Sequence, residues 1–499
     1  MNILSYTDKE LSEKNFYLSC LLVFFIYTFP LIISDIYYLD DLGRAIDGHG
    51  WDHDARYLTN IIYSALTFGG LVINISPYPL IISLLFFSLS SVYLTRIFSI
   101  KRNIVSVLFC SLLMTSPFYI ENLSYKFDSL SMSISIFLCV YAIYLTSICN
   151  IKSLLLSAII LSAVMFLYEP SLGIFITLSI SLFISNSLFQ TKKVSLYKVT
   201  THQVISVCLA LFSWKIGSKI LDYPVRQTIY SSPDRFSAFK EKLSIFLDNM
   251  NVVFSDRFMV AYSLLLLLSF ISILTLVAKL IKESNIRTYA PIITVIIISL
   301  PVFIIMIQGF SFFAMRKTDP FGYAPRVFIG FGASMLAIAV FLMKSDFISQ
   351  KIKLIAFLMP FIYSLTLMST YCNSFGSQMR ILDIISANLS RDLVDNDLVG
   401  KNMVISGKMP NSNELNFSGK ENPIIFKLVQ TPMHNEWSWG YRQLITLYSL
   451  PALYPSEDEM NISNKEKCSF NVVSKNIYYT ILVPKNGNFF VLDFDRNCK

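Results

Sequence analysis

The chain has 499 residues, of which 54% are hydrophobic and 15% charged, with a formal net charge of +8. Water-soluble domains carry about 25% charged residues, so an ordinary soluble multidomain protein is excluded. The 41 Phe and 27 Tyr against 17 Gly and 18 Pro exclude a disordered or low-complexity chain.

The basic residues occur in short groups between apolar runs rather than beside exposed aromatics. Nucleic acid is therefore not an expected partner. A bilayer span needs roughly 17–25 mostly apolar residues. Runs of this kind lie near 16–34, 78–97, 104–119, 130–148, 154–168, 171–189, 202–221, 259–280, 290–309, 327–343 and 354–371. They predict a polytopic α-helical membrane protein with about 11 transmembrane helices. Phe16 to Ser34 is followed by no small-residue cleavage site, so it reads as a first span.

The run Tyr57–Ile75 is ambiguous, because Asn60, Ser64, Thr67, Gly69, Gly70 and Asn74 interrupt it. Charge decides it. If 57–75 does not cross, one set of short connections carries 15 basic against 5 acidic residues. Basic connections mark the cytoplasmic side. The run 57–75 is then an interfacial or re-entrant segment of a first outer loop, 35–77. The N-terminus is cytoplasmic and the C-terminus periplasmic.

The chain divides by composition into a transmembrane domain, 1–372, and a tail, 373–499, with 13 basic and 13 acidic residues. Runs Ile424–Val429, Phe470–Val473, Tyr478–Val483 and Phe489–Phe494 read as strands punctuated by Asn and Gly. A small α+β domain on the outer face is expected. Cys468 and Cys498 lie inside it and can pair in an oxidising compartment. The eight Cys form no CxxC pair and no Cys/His cluster, so a structural zinc site is not expected.

Candidate chemistry gathers in the outer connections. Asp40 and Asp41 follow the first span, with Arg44 and Arg56 close behind. Adjacent carboxylates raise one another's pKa and suit base chemistry or cation binding. Guanidinium groups hold phosphate bidentately. The next outer turn supplies Glu121, Tyr125, Lys126 and Asp128, and a later hairpin supplies Glu169. Lys126 can bind phosphate, while Glu121 and Asp128 can bind sugar hydroxyls. Each group can equally be a solvated loop or helix cap.

Lys215 and Lys219 share one helix face in the outer half of a span, near a headgroup or snorkelling to the interface. Arg316, Lys317, Asp319, Tyr323 and Arg326 form a further outer cluster and a second phosphate-clamp candidate. Trp437 and Trp439 can stack on pyranose rings or fill a core. His49 and His53 beside Asp52 and Asp54 permit a metal reading, which spacing alone leaves open.

The run Tyr38-Leu39-Asp40-Asp41-Leu42-Gly43-Arg44, the following Gly50-Trp51 and Ala55-Arg56-Tyr57, and the turn Glu121 to Asp128 resemble the bacteriophage-type serotype-converting O-antigen glucosyltransferases. That resemblance implies a membrane glycosyltransferase of GT-C-like fold with a catalytic acid in the first outer loop. It implies transfer of glucose from undecaprenyl-phosphate glucose to an O-antigen sugar of lipopolysaccharide, in the periplasm of a bacterial inner membrane. Its implied companions are an enzyme that loads glucose onto the lipid and a small flippase.

The matching acids are Asp40 and Asp41, and the matching basic positions are Arg44, Arg56 and Lys126, with Lys215 and Arg316 as further cations. Glu121, Tyr125, Asp128, Glu169, Trp437 and Trp439 are the acceptor candidates. The expected co-substrate is the lipid-linked donor, undecaprenyl-phosphate glucose, and a divalent metal stays open. The expected chemistry is an inverting displacement with an Asp general base. A flippase for lipid-linked sugar and an O-antigen polymerase are the alternatives.

Overall fold

The computed structural model describes residues 8–69, 72–189, 193–221, 234–283, 286–309, 312, 324–435, 438–485 and 487–498. The chain forms two compact units. The first comprises Met1–Ile33, Gly50–Leu71 and Ile75–Met368, and the second Ser34–His49, Val72–Asn74 and Ser369–Lys499. The first half of the acidic loop after the first helix is thus grouped with the tail.

In the first unit the helices are α1 (Glu13–Ile33), with α2 (Asp41–Asp47) of the second unit following it in sequence, then α3 (Tyr57–Leu66), α4 (Tyr78–Phe98), α5 (Ile104–Ser111) and α6 (Tyr119–Ser124). They continue with α7 (Ser129–Ser147), α8 (Ile151–Leu167), α9 (Leu172–Leu188), α10 (Lys193–Ile220) and α11 (Arg235–Asn251). The last are α12 (Asp256–Glu283), α13 (Ile286–Gln308), α14 (Gly330–Lys344) and the 46-residue α15 (Gln350–Asp395), which runs on into the second unit. Among the described residues, eight helices are long and apolar enough to cross a membrane, and Ile151–Leu167 and Ile293–Gln308 are shorter apolar helices. The protein is polytopic. At ten residues α3 is about 15 Å long, well short of a bilayer core of about 30 Å.

Packing fixes the relative direction of the spans. Phe86 and Tyr93 of α4 meet Phe137 and Tyr141 of α7 in the same order, at 5.6 and 5.0 Å, so the two helices run parallel. Glu13 at the start of α1 pairs with Arg96 at the end of α4, and also with Arg102, each at 2.6 Å. That end of the unit is basic.

The expected span 104–119 is not one helix. The Asn103 capping box starts α5, which stops at Ser111, and a turn region leads through Thr115-Ser116-Pro117 to α6. Proline disfavours helix at the preceding residue and lacks an N–H for it. The segment still traverses the unit: Cys110 donates to Ser91 O, and Tyr119 meets Phe87, so it runs antiparallel to α4. Residues 105–125 are all buried. Ser364 of α15 donates to Thr115 O at 2.9 Å, which satisfies a carbonyl freed by the break. Gly332 lets α14 close on the same region, since a Cβ there would lie 2.7 Å from Leu112 O and 2.8 Å from Leu113 O.

Serines are frequent in these helices, and many return their hydroxyl to the previous turn. Ser83, Ser88 and Ser91 of α4 donate to the carbonyls of Pro79, Leu84 and Phe87 at 2.8–3.0 Å. A buried hydroxyl is tolerated when bonded in this way.

In the second unit, Leu382, Ile385, Leu389 and Leu393 recur at helical spacing on one face of α15. They pack with Met403, Ile405, Ile481, Phe490 and Leu492 of a four-stranded sheet, and with Leu42 of the acidic loop. The strands are β1 (Asn402–Ser406), β2 (Asn471–Lys475), β3 (Thr480–Val483) and β4 (Phe489–Asp493), in the order β1-β4-β3-β2. β1 pairs parallel with β4, and the other pairings are antiparallel. The strand expected over Ile424–Val429 is instead a short helix, Ile424–Leu428, entered from Pro423. A short apolar run carries no periodicity that separates the two states. β1 was not anticipated.

Cys468 and Cys498 form a disulfide over a separation of 30 residues. Closing a loop of that size should stabilise the unit by about 3–4 kcal/mol. Thermal melting with and without reductant, and of Cys468→Ser, should show a loss of that order.

Burial, with Lys408 nearby, pulls the His434 imidazole down from 6.5 to about 4. Between those values the unfolded chain binds a proton that the folded unit does not, so stability falls as pH drops from 6.5 towards 4. Melting of the purified protein across that range should show the fall, and His434→Gln should flatten it.

Candidate functional site

Two polar groups stand out, one in each unit. In the second unit, Asp40 precedes the seven-residue α2 and is partly exposed, whereas Asp41 and Arg44 within it are buried. Asp41 Oδ2 accepts from Tyr38 N at 3.1 Å, so this carboxylate also shapes the loop that leads into α2. Leu42, in the core, anchors the same turn. Arg44 O accepts from Gly48 N, closing α2 at a left-handed glycine with φ of 63°.

In the first unit, the segment from Trp51 to Arg56, the turn after α6, the α8–α9 hairpin and the turn before α14 converge. Asp128 Oδ1 accepts from Arg56 Nη1 at 2.6 Å and from Trp51 Nε1 at 2.7 Å. The Asp128 side chain is 1% exposed and that of Arg56 19%, so the pair is largely withdrawn from water. Trp51 also packs on Tyr63, and Tyr63 on Phe127, forming an apolar wall.

The Arg56 guanidinium lies over the Tyr168 ring, 4.9 Å from its centroid. Tyr168 O–H donates to the carbonyl of Arg326 at 2.8 Å. Asn122 Nδ2 donates to Tyr168 Oη at 3.3 Å, and buried Glu121 accepts from Arg326 N at 2.7 Å through Oε2. The Arg326 guanidinium lies over the Tyr125 ring, 5.2 Å from its centroid. Two guanidinium groups are thus each set on a tyrosine face, while Asp128 holds the Arg56 side chain and Glu121 holds the Arg326 backbone. Planar, weakly hydrated cations in such a frame suit a phosphate oxyanion.

Of the residues expected from sequence, Arg56, Glu121, Tyr125 and Asp128 meet in this cluster. Lys126 and Glu169 are partly exposed, each beside a cluster residue in sequence. Lys215 and Lys219 are exposed on α10. Arg316 and Trp437 lie outside the described residues, as does the side chain of Trp439, whose backbone is in the helix Ser438–Leu447. Tyr168 and Asn122 were not singled out by sequence reasoning. The signal available was a tyrosine closing an apolar helix just before Glu-Pro. Among the described residues no three His, Cys, Asp or Glu side chains gather as a metal site; His49 Nδ1 is engaged with Asp47.

The family model "Glucosyl transferase GtrII" matches residues 29–338, more than half of the chain. The chain belongs to the GtrII glucosyl transferase family. The match takes in both Asp40-Asp41 and the arginine cluster through Arg326. The chain is also 29% identical over 191 residues to an uncharacterised 55.3 kDa protein in the gtrB 5′ region of Salmonella phage P22. That similarity covers 38% of this chain and 39% of the phage protein. No solved structure matches.

Proposed function

We propose that this chain is a GT-C-type glucosyltransferase of a bacterial inner membrane, modifying the O-antigen of lipopolysaccharide from the periplasmic side. The observation that carries the reading is a pair of partly buried guanidinium groups, each over a tyrosine ring, inside a polytopic member of a glucosyl transferase family. A sugar donor carried by a lipid phosphate, undecaprenyl-phosphate glucose, needs cations at the membrane and no nucleotide site. Arg56 and Arg326, with Lys126 next to Tyr125 in sequence, are assigned to the departing phosphate, whose developing charge they stabilise.

The acceptor hydroxyl's proton is assigned to Asp40. It is partly exposed, whereas Asp41 is 0% exposed and bonded to the backbone of its own loop. A base must touch the proton it removes. One displacement at the anomeric carbon inverts its configuration. The charge asymmetry of the connections supports a cytoplasmic N-terminus and a periplasmic C-terminus. A glucose-loading enzyme and a flippase would supply the donor.

The test is glucose transfer in vesicles given labelled undecaprenyl-phosphate glucose and O-antigen acceptor. Labelled acceptor is the expected product. Movement of labelled lipid across the bilayer without acceptor labelling would replace the enzyme by a flippase, and a change in chain length by a polymerase.

A further inference from the structure

We infer that Tyr168 is a positioning residue that joins Arg56 and Arg326 into a single clamp for a phosphate group; this rests on the lipid-phosphate reading of the same cluster. Each arginine comes from a different part of the sequence, Arg56 from the approach to α3 and Arg326 from the turn before α14. Their separation in sequence leaves them no local means of keeping register. Tyr168 touches both. Its ring face carries the Arg56 guanidinium at 4.9 Å, and its hydroxyl donates to the carbonyl of Arg326 at 2.8 Å.

The surrounding contacts leave this side chain little freedom. Tyr168 is 2% exposed and Asn122 0%, and Asn122 Nδ2 donates to the Tyr168 oxygen at 3.3 Å while also lying 3.4 Å from Arg326 O. Asn122 Oδ1 is buried and accepts no hydrogen bond among the described residues. The tyrosine oxygen thus accepts from the amide and donates to the carbonyl, a directional relay. The far sides are fixed by Asp128 on Arg56 and by Glu121 on Arg326 N. Both carboxylates hold the frame, so the cationic faces are presented as a pair without needing rearrangement when the ligand arrives.

Tyr168→Phe keeps the ring beneath Arg56 and removes the bond to Arg326. Tyr168→Leu removes both. On the purified full-length protein in nanodiscs, binding of undecaprenyl phosphate and, in a separate arm, of inorganic phosphate would be measured. Donor KM, acceptor KM and kcat would be measured alongside. Tyr168→Phe should weaken phosphate-lipid binding about fivefold to tenfold, the loss of one buried hydrogen bond, and raise donor KM with acceptor KM unmoved. Tyr168→Leu should weaken it further, and Arg56→Lys and Arg326→Lys should each resemble Tyr168→Phe.

If inorganic phosphate also binds and responds to Tyr168, the clamp reads the phosphate alone; if only the lipid responds, it reads the headgroup in its membrane setting. Either supports the clamp. Unchanged binding of both ligands in Tyr168→Phe, or equal changes in donor and acceptor KM, would overturn it. Tyr168-dependent binding without glucose transfer would uphold the clamp and sink the glucosyltransferase reading; transfer with Tyr168-independent binding would do the reverse.

Discussion

Asp40→Asn should lower glucose transfer about a hundredfold to ten-thousandfold, the range for loss of a general base. Donor binding should hardly change, because the amide keeps the size of the side chain and only the proton acceptor is lost. Asp41→Asn should behave differently. The amide oxygen can still accept from Tyr38 N, so the loop persists and turnover should drop far less. Transfer assays on both variants, with melting temperatures as a control for folding, separate the two acids. Full turnover in Asp40→Asn would remove it from the chemistry, and a collapse confined to Asp41→Asn would exchange the two roles.

Asp128→Ala should destabilise the first unit by about 3–5 kcal/mol, the cost of leaving a buried partner charge uncompensated. The Arg56 side chain is only 19% exposed, and Trp51 would lose its acceptor as well. Arg56→Gln combined with Asp128→Asn should cost less than the sum of the two single changes, because no lone charge is left behind. Thermal melting of the four proteins in detergent closes that cycle. Additive losses would mean that the pair contributes nothing beyond its separate packing. The double variant should still lose donor binding, since Arg56 itself is gone.

Much of this was legible because membrane chemistry writes strongly into sequence. Ten apolar runs coincide with described helices, from α1 to α15. β2, β3 and β4 showed in short apolar runs set off by Asn and Gly. The exception among the spans, 104–119, is mostly apolar yet broken, because hydropathy measures burial and Thr115-Ser116-Pro117 governs backbone geometry. Ile424–Leu428 failed for the complementary reason, too short a run to show its period. At the site, Arg56, Glu121 and Asp128 were found by charge in places where a neutral loop would have served. Tyr168 and Asn122 were not, since their roles depend on Arg326, about 158 and 204 residues away.

The break after α5 has a consequence for how the protein enters its membrane. An isolated segment with an eight-residue helix and a non-helical stretch behind it presents peptide groups to hydrocarbon at several kcal/mol each. In the finished unit those groups are turned inward, with Ser364 of α15 supplying one donor and α14 packed close at Gly332. Both of these helices lie more than 200 residues later in the chain. Biogenesis therefore cannot proceed by releasing each apolar run to lipid as it emerges. The broken segment is expected to rest against its early neighbours, α1 and α4, until α14 and α15 have been made.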